Sequence, residues 1–159
     1  MTKSPTPLEG STAERVAALT PENPYQSRGR KSRLLIVGAG MMGREHLRVS
    51  QLLGWADVQG IVDPDGGSLE WACTDWRLLT DAPLTIYRDL SEACLDEAVD
   101  AIVIATPNHT HRDVLQAVAA SHKHVLLEKP MATTLADAMD IVNLARDYPA
   151  VIQLGMQYR

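Results

Sequence analysis

Phenylalanine is absent from this 159-residue sequence, and aromatic residues make up only 4% of it. Leu, Ile, Val, Ala and Met therefore have to fill any hydrophobic core. Cysteine is scarce as well: Cys73 and Cys94 are isolated and lack the CxxC spacing of a metal or redox site. Two thiols in a reducing compartment fit this usage better than a disulfide does.

Long hydrophobic runs are also missing. No stretch approaches the ~20 apolar residues of a membrane span, and none has the apolar segment of a signal peptide, which favours a cytoplasmic protein. A net charge of −5 argues against a nucleic-acid partner. The remaining composition, 45% hydrophobic and 22% charged, is that of an ordinary globular domain.

Residues 1–30 differ in composition from the rest of the chain. They are rich in Pro, Ser, Thr and charge, with too few apolar residues to form a core. The sequence therefore predicts a disordered N-terminal tail over 1–30, followed by a folded domain over 31–159. The basic cluster at the junction is interpreted as a solvated linker rather than a nucleic-acid or targeting patch; it consists of Arg28, Arg30, Lys31 and Arg33.

From residue 33 onward, short apolar segments alternate with helical patterns. Strands without polar alternation are typical of a parallel sheet that is covered by helices on both faces. The sequence therefore predicts an α/β fold, a doubly wound Rossmann fold with a mostly parallel six-stranded sheet in the order 3-2-1-4-5-6. The predicted strands cover residues 34–38, 58–63, 84–87, 101–106, 124–129 and 151–156.

Helical periodicity predicts which side chains face the sheet. In the helix after Gly43, we expect Leu47, Leu52 and Leu53 to share one face. Trp71 and Trp76 are expected to pack from a helix over 67–79, and Thr134 has the spacing of a helix cap. The other residues expected to point inward are Val114, Leu115, Val118 and Ala119 in one helix and Leu135, Ala138, Ile141, Val142 and Ala145 in the last.

Three glycines, Gly38, Gly40 and Gly43, separate the first strand from its helix. In such a turn the first glycine allows a tight bend, the second lets the backbone approach a pyrophosphate, and the third lets helix and strand pack closely. The helix N-terminus offers N–H groups and partial positive charge to the phosphates. The turn alone could bind nothing, but Asp63 at the end of the second strand can accept hydrogen bonds from ribose hydroxyls. The combination predicts a dinucleotide site.

Asp63 also bears on the choice of cofactor. Its carboxylate would repel the 2′-phosphate of NADP, and the segment DPDG (63–66) offers no Arg or Lys to receive that phosphate. The sequence therefore predicts NAD rather than NADP. The residues predicted to hold this part of the cofactor are Gly38, Ala39, Gly40, Met41, Met42, Gly43 and Asp63.

Two further motifs follow the fourth and fifth strands: TPNHTH (106–111) and EKP (128–130). Together with the glycine motif and the acid after the second strand, they resemble the Gfo/Idh/MocA family of oxidoreductases, from about residue 32 to the end. The resemblance implies that the Thr-Pro-Asn turn lines the nicotinamide side of the cofactor and that the EKP lysine lies near the site of hydride transfer. By resemblance these roles fall to Thr106, Pro107, Asn108, Glu128 and Lys129, and the Lys129–Pro130 bond is expected to be cis.

Lys129 is the candidate catalytic residue. A lysine desolvated in a cleft can polarise an alcohol oxygen or join a proton relay, although a surface lysine before a turn proline would have the same sequence. His111 either orients the Thr-Pro-Asn loop or has a structural role at the start of a helix. The pairs His109/His111 and His122/His124 lack a companion ligand at a recognisable spacing, so no metal is predicted.

Members of the family continue into a second α/β domain that supplies most of the substrate pocket and usually the oligomer interface. By resemblance, this chain is the nucleotide-binding domain of an NAD-dependent oxidoreductase, and the substrate domain is absent from it. The expected reaction transfers hydride between the cofactor and an alcohol carbon of a sugar, inositol or similar polyol, and a full-length relative is expected to be a homo-oligomer. The alternative is a non-catalytic dinucleotide-binding module, such as a sensor or partner subunit.

Overall fold

In the computed structural model, the described residues 31–54 and 56–156 form six strands alternating with five α-helices. The predicted disordered tail over 1–30 lies outside the described residues. The strands are β1 (Ser32–Val37), β2 (Ala56–Val62), β3 (Thr85–Ile86), β4 (Ala101–Ile104), β5 (His124–Glu128) and β6 (Ile152–Gly155). The helices are α1 (Met41–Leu53), α2 (Gly66–Leu79), α3 (Leu90–Leu95), α4 (His111–Ala119) and α5 (Leu135–Arg146).

All six strands are parallel and lie in the order β3-β2-β1-β4-β5-β6, so the predicted fold and strand order are confirmed. The central strands β1 and β4 are apolar from Leu34 to Val37 and from Ala101 to Ile104, as strands covered on both faces must be. The edge strand β3 has only two residues, Thr85 and Ile86, and both are exposed. It is half the predicted length because an edge strand has neither a second neighbour nor full helix cover.

Two layers of helices cover the sheet, and successive residues of a strand point to opposite layers. Leu35 of β1 packs in a cluster with residues of α4 and α5, whereas Ile36 packs with α1 and α2. In β4, Ile102 lies in the same cluster as Leu35, and Val103 lies in the same cluster as Ile36. This arrangement brings the carboxyl ends of β1, β2 and β4 together at one edge, where ligands bind in doubly wound sheets.

The prediction for the inner face of α1 is wrong. Leu47 is fully buried, but Leu52 is 63% exposed and Leu53 is 49% exposed. At about 100° per residue, positions five and six beyond Leu47 are rotated by roughly 140° and 120° away from it. The three leucines therefore cannot share one face of a helix.

The prediction for α5 is only partly right. Ile141 is buried and Ala138 is half-buried, but Leu135, Val142 and Ala145 are exposed. Leu135 and Val142 are seven residues apart and lie on one apolar stripe that faces solvent. The stripe that packs against the sheet is centred on Ile141 instead. Thr134 does cap this helix, since its hydroxyl oxygen accepts the Asp137 N–H at 3.1 Å.

The two tryptophans of α2 also differ. Trp76 is buried as predicted, and its indole N–H donates to the Ala82 carbonyl at 2.8 Å. Trp71 is 65% exposed, so the packing role predicted for it is wrong. It lies five residues before Trp76, which places it on the solvent side of the same helix.

Part of the basic cluster near the start of the domain is structural rather than a solvated linker. Arg33 lies in β1, and its guanidinium donates to both carboxylate oxygens of Asp100 at 3.1 Å. This bidentate pair holds the start of β1 against the turn before β4. The hydrogen bond to Asp100 raises the pKa of Arg33.

The cysteines and the helices bear on two further expectations. Cys73 and Cys94 are free thiols, and both are half-buried. No helix in residues 31–54 or 56–156 is long and apolar enough to cross a membrane.

Candidate functional site

The glycine loop between β1 and α1 has a backbone that side chains would obstruct. Gly38 has φ +101°, and a Cβ there would lie 2.7 Å from the Ala105 carbonyl oxygen. A Cβ on Gly43 would clash with the Gly38 carbonyl oxygen and press on Ile36. Gly38 therefore makes the tight turn, and Gly43 lets α1 pack directly against the strand that precedes it.

Gly40 differs from the other two glycines. A Cβ built on it meets no protein atom within 4 Å, and Gly40 lines an open cleft. The absence of a side chain at this position is therefore not required by packing within the described residues. What it leaves is free space above the backbone, where a ligand can approach closely.

The N-terminus of α1 faces the same space. Gly40 is its N-cap, no side chain caps it, and the first turn holds no acidic residue. The first backbone bond of the helix runs from the Arg44 N–H to the Gly40 carbonyl at 3.0 Å, so the preceding N–H groups have no partner within the helix. These N–H groups and the helix dipole fit a pyrophosphate.

Asp63 follows β2 and reaches back to this loop. One carboxylate oxygen accepts the Ala39 N–H at 2.6 Å, and the other accepts the Asp65 N–H at 2.8 Å. The side chain is therefore fixed beside the glycine loop. Since a carboxylate offers about four acceptor positions, two hydrogen bonds leave room for the hydroxyls of a ribose.

These elements enclose a cleft of about 820 Å³, within the size range of cofactor sites. The wall next to β4 contains Thr106, Pro107 and Thr110. The loop after β3 forms a third wall through Arg88, Asp89 and Leu90. The sequence analysis did not predict that this loop reaches the cleft. The remaining residues that line the cleft are Val37, Gly38, Gly40, Met41, Met42, Val62, Asp63, Pro64, Asp65, Ser68, Ala105 and Val114.

Six of the predicted site residues do not line this cleft. Ala39 and Gly43 are buried beneath the loop. Asn108 begins an exposed 3-10 turn next to the cleft wall. The other three lie outside it: His111 is the first residue of α4, and Glu128 and Lys129 lie at the end of β5.

His111 is fully buried and joins two loops. Its Nδ1 lies 3.0 Å from the Pro130 carbonyl oxygen and its Nε2 lies 3.0 Å from the Thr106 carbonyl oxygen. It thus ties the Thr-Pro-Asn turn to the EKP turn. Both partners are acceptors, so a neutral ring can donate to only one of them, whereas a protonated ring satisfies both.

Glu128 is a buried carboxylate with two partners. One oxygen lies 2.8 Å from His46 Nε2, and the other accepts the Lys129 N–H at 3.1 Å. His46 is part of α1, the helix whose N-terminus faces the cleft. The pair therefore connects that helix to the backbone of Lys129, whose side chain is exposed. The Lys129–Pro130 bond is cis, as the resemblance implied.

The sequence reasoning did not identify His46. The signal that could have indicated it is a histidine one turn after Gly43, on the helix of the glycine motif. Its partner is 82 residues away in the chain, and only the parallel pairing of the sheet brings the two together.

The remaining histidines do not converge on a metal site. Nδ1 of His124 accepts the Val151 N–H at 3.3 Å, and both nitrogens of His111 face carbonyl oxygens. Within the residues that the structure describes, no three His, Cys, Asp or Glu side chains are grouped so that they could hold a metal ion.

Comparison with known proteins agrees with this geometry. A family model described as Gfo/Idh/MocA, an oxidoreductase family with an NAD-binding Rossmann fold, matches residues 32–156. The chain belongs to this family. The match spans both the glycine loop and the EKP turn.

The relatives include enzymes that act on inositol. An inositol 2-dehydrogenase of Leifsonia xyli is 35% identical over 131 residues, which are 80% of this chain and 36% of that protein. The rhizopine catabolism protein MocA of Rhizobium meliloti is 31% identical over 77% of this chain and 37% of its own length. The chain therefore spans about a third of the length of these relatives.

A solved structure shows the same fold with a nucleotide bound. The myo-inositol dehydrogenase of Lactobacillus casei, in complex with NAD(H) and myo-inositol, matches with a TM-score of 0.68 and 28% identity. The match covers 79% of this chain and 37% of the other. The fold described above is therefore shared with a protein whose structure contains NAD(H).

Proposed function

We propose that residues 31–159 form the cofactor domain of an NAD-dependent dehydrogenase that oxidises an alcohol carbon of inositol or a similar polyol or sugar. Membership of the oxidoreductase family supports the reaction class. The substrate class is supported by relatives that are inositol 2-dehydrogenases. Of the predicted residues, we propose as cofactor-binding those that line the cleft: Gly38, Gly40, Met41, Met42, Asp63, Thr106 and Pro107.

The observation that carries the proposal is the link between Asp63 and the glycine loop. Because Asp63 accepts the Ala39 N–H, a group that bonds to its carboxylate lies next to the N-terminus of α1. A dinucleotide presents its adenosine ribose and its pyrophosphate at this spacing. A lone phosphate would not need the carboxylate, and an anion alone would be repelled by it.

The charges around Asp63 favour NAD over NADP. Asp65 and Asp89 line the same cleft. Hydrogen bonds from Ser68 lower the pKa of Asp65, and the Glu92 backbone N–H lowers the pKa of Asp89. Both carboxyl groups are therefore ionised at neutral pH, and a 2′-phosphate would meet several negative charges at once.

Lys129 is proposed as the residue that contacts the reacting oxygen. NAD supplies the nicotinamide that accepts hydride when it is bound. The Lys129 side chain can donate a hydrogen bond to the substrate oxygen as an ammonium. As an amine, it can accept the proton of the alcohol. Glu128 fixes the backbone of Lys129 through the 3.1 Å bond to its N–H, which limits the positions that the side chain can reach.

Calorimetric titration of an Asp63 variant with NAD tests the proposal. Asp63→Asn keeps the size of the side chain but removes its charge, so we expect NAD to bind at least about tenfold more weakly, since hydrogen bonds to charged groups contribute about 1.5 to 3 kcal/mol. The matched control is Asp57→Asn, an exposed aspartate near the start of β2, the strand that Asp63 follows; it should leave NAD affinity unchanged. Equal affinities in the wild type and in Asp63→Asn would refute the proposal.

A further inference from the structure

Arg88 is the one cation among the described residues that line the cleft. It follows β3, which is paired to β2 at the edge of the sheet. Asp63 follows β2, so Arg88 lies on the same side of the glycine loop as the ribose partner. The wall after β4, with Thr106 and Pro107, lies on the other side of β1.

The backbone of Arg88 is fixed whereas its side chain is free to move. Its N–H donates to a Glu92 carboxylate oxygen at 2.9 Å, and Asp89 accepts the Glu92 N–H at 2.9 Å. Together these bonds cap the start of α3, with Glu92 accepting from the residue before the N-cap Asp89 rather than from Asp89 itself. The side chain, however, is 85% exposed, and its one ion-pair partner among the described residues is Asp89, at 3.4 Å. An exposed ion pair of this length contributes little, so the guanidinium can move to a ligand at small cost.

The surrounding charges decide what that ligand group is. A phosphate on the adenosine ribose would meet Asp63, Asp65 and Asp89, and one arginine cannot neutralise three carboxylates. A neutral, flat, aromatic group avoids this repulsion. A guanidinium is planar, weakly hydrated and well suited to stack on such a ring.

We propose that Arg88 covers the adenine ring of the bound dinucleotide and is a specificity-determining residue for the adenosine end. The inference rests on the proposed function, because it needs a dinucleotide whose ribose bonds to Asp63. Pro64 and Leu90 also line the cleft and add apolar surface to it. The N–H groups at the edge of the guanidinium stay in contact with water, while its flat face packs on the purine ring.

The test compares NAD and NADP affinities of the wild type, Arg88→Ala, Arg88→Lys and a control by calorimetry. The control is Arg77→Ala, which removes the same charge from the last turn of α2, outside this cleft. We expect Arg88→Ala to weaken NAD binding about 3- to 10-fold, the range of a cation–π contact. Arg88→Lys keeps the charge but loses the planar surface, and it should also bind NAD more weakly than the wild type. Arg77→Ala should bind NAD as the wild type does.

Three results would overturn the assignment. One is an Arg88→Ala protein, folded by circular dichroism, with wild-type affinity for NAD. Another is full NAD affinity in Arg88→Lys, which would mean that charge alone is used. The third is a much larger loss for NADP than for NAD in Arg88→Ala, which would place a phosphate on Arg88. If the wild type bound neither NAD nor NADP, the proposed function itself would fail. In that case Asp63→Asn would not change the affinity for NAD either.

Discussion

The two sides of the sheet's carboxyl edge hold their polar groups in different ways. After β1, β2 and β3, Asp63 accepts one backbone N–H from the glycine loop and one from its own loop, and the Arg88 side chain is largely exposed. After β4 and β5, His111 and Glu128 are buried and bond across separate elements. The first side keeps lone pairs and space for a ligand, whereas the second forms a rigid support beneath Lys129.

We propose from this difference that Asp63 and the glycine loop bind the nucleotide, whereas His111 and Glu128 position the backbone around Lys129. A group that binds a ligand must leave part of its hydrogen-bonding capacity unused. A group that orients a reactive side chain works best when it is fully bonded and buried. Changes to Asp63 or the glycine loop should therefore alter nucleotide affinity, and changes to His111, Glu128 or its partner His46 should alter stability first.

The largest effect is expected for Gly40→Val. Its side chain would occupy the open space above the glycine loop, so NAD should bind on the order of 100-fold more weakly, because hydrogen bonds to the charged phosphates are lost. Gly66→Val is the matched control, since a Cβ there also meets no atom within 4 Å and Gly66 does not line the cleft. The control should bind NAD normally. Normal NAD affinity in Gly40→Val would end the interpretation of the glycine loop as a pyrophosphate site.

An intermediate effect, on stability, is expected for His46→Leu. It removes the partner of a buried carboxylate, which should lower the free energy of unfolding by about 2 to 3 kcal/mol. His46→Gln keeps an N–H donor and should recover part of this loss. Urea unfolding measures both. A His46→Leu protein as stable as the wild type would show that the contact between His46 and Glu128 does not support this side of the sheet.

The smallest effect is expected for Lys129→Met on NAD affinity. Lys129 does not line the cleft and its side chain is exposed, so the dissociation constant of NAD should change less than about twofold, or about 0.4 kcal/mol. Titration of the variant beside Gly40→Val measures this directly. A loss as large as that of Gly40→Val would mean that the two sides of the edge act as one binding site.

The sequence predicted the sheet and its order because the strands are short, apolar and regularly spaced. It located the glycine loop and Asp63 together because both belong to a single strand–helix–strand unit, and their role in binding the adenosine end stays a prediction. The predicted face of α1 was wrong and that of α5 was right only in part, since Leu52 and Val142 are apolar but lie on solvent-exposed stripes. Apolar composition alone does not decide which of two stripes meets the sheet.

The residues that the sequence did not reveal are those that need tertiary contacts. His46 meets Glu128 only because α1 packs beside the end of β5. Arg88 belongs to the cleft only because β3 pairs with β2. Neither residue has a local motif that marks its partner, and the segment DPDG gave no indication that a cation would reach the cleft from another loop.

The most direct test of the central claim compares the affinities of the wild-type chain for NAD and NADP. The claim is that the adenosine ribose lies against Asp63, among carboxylates that exclude a 2′-phosphate. Calorimetric titrations at the same pH and ionic strength should show NAD binding at least about tenfold more tightly than NADP, a difference of about 1.4 kcal/mol. Equal affinities, or tighter binding of NADP, would contradict the account.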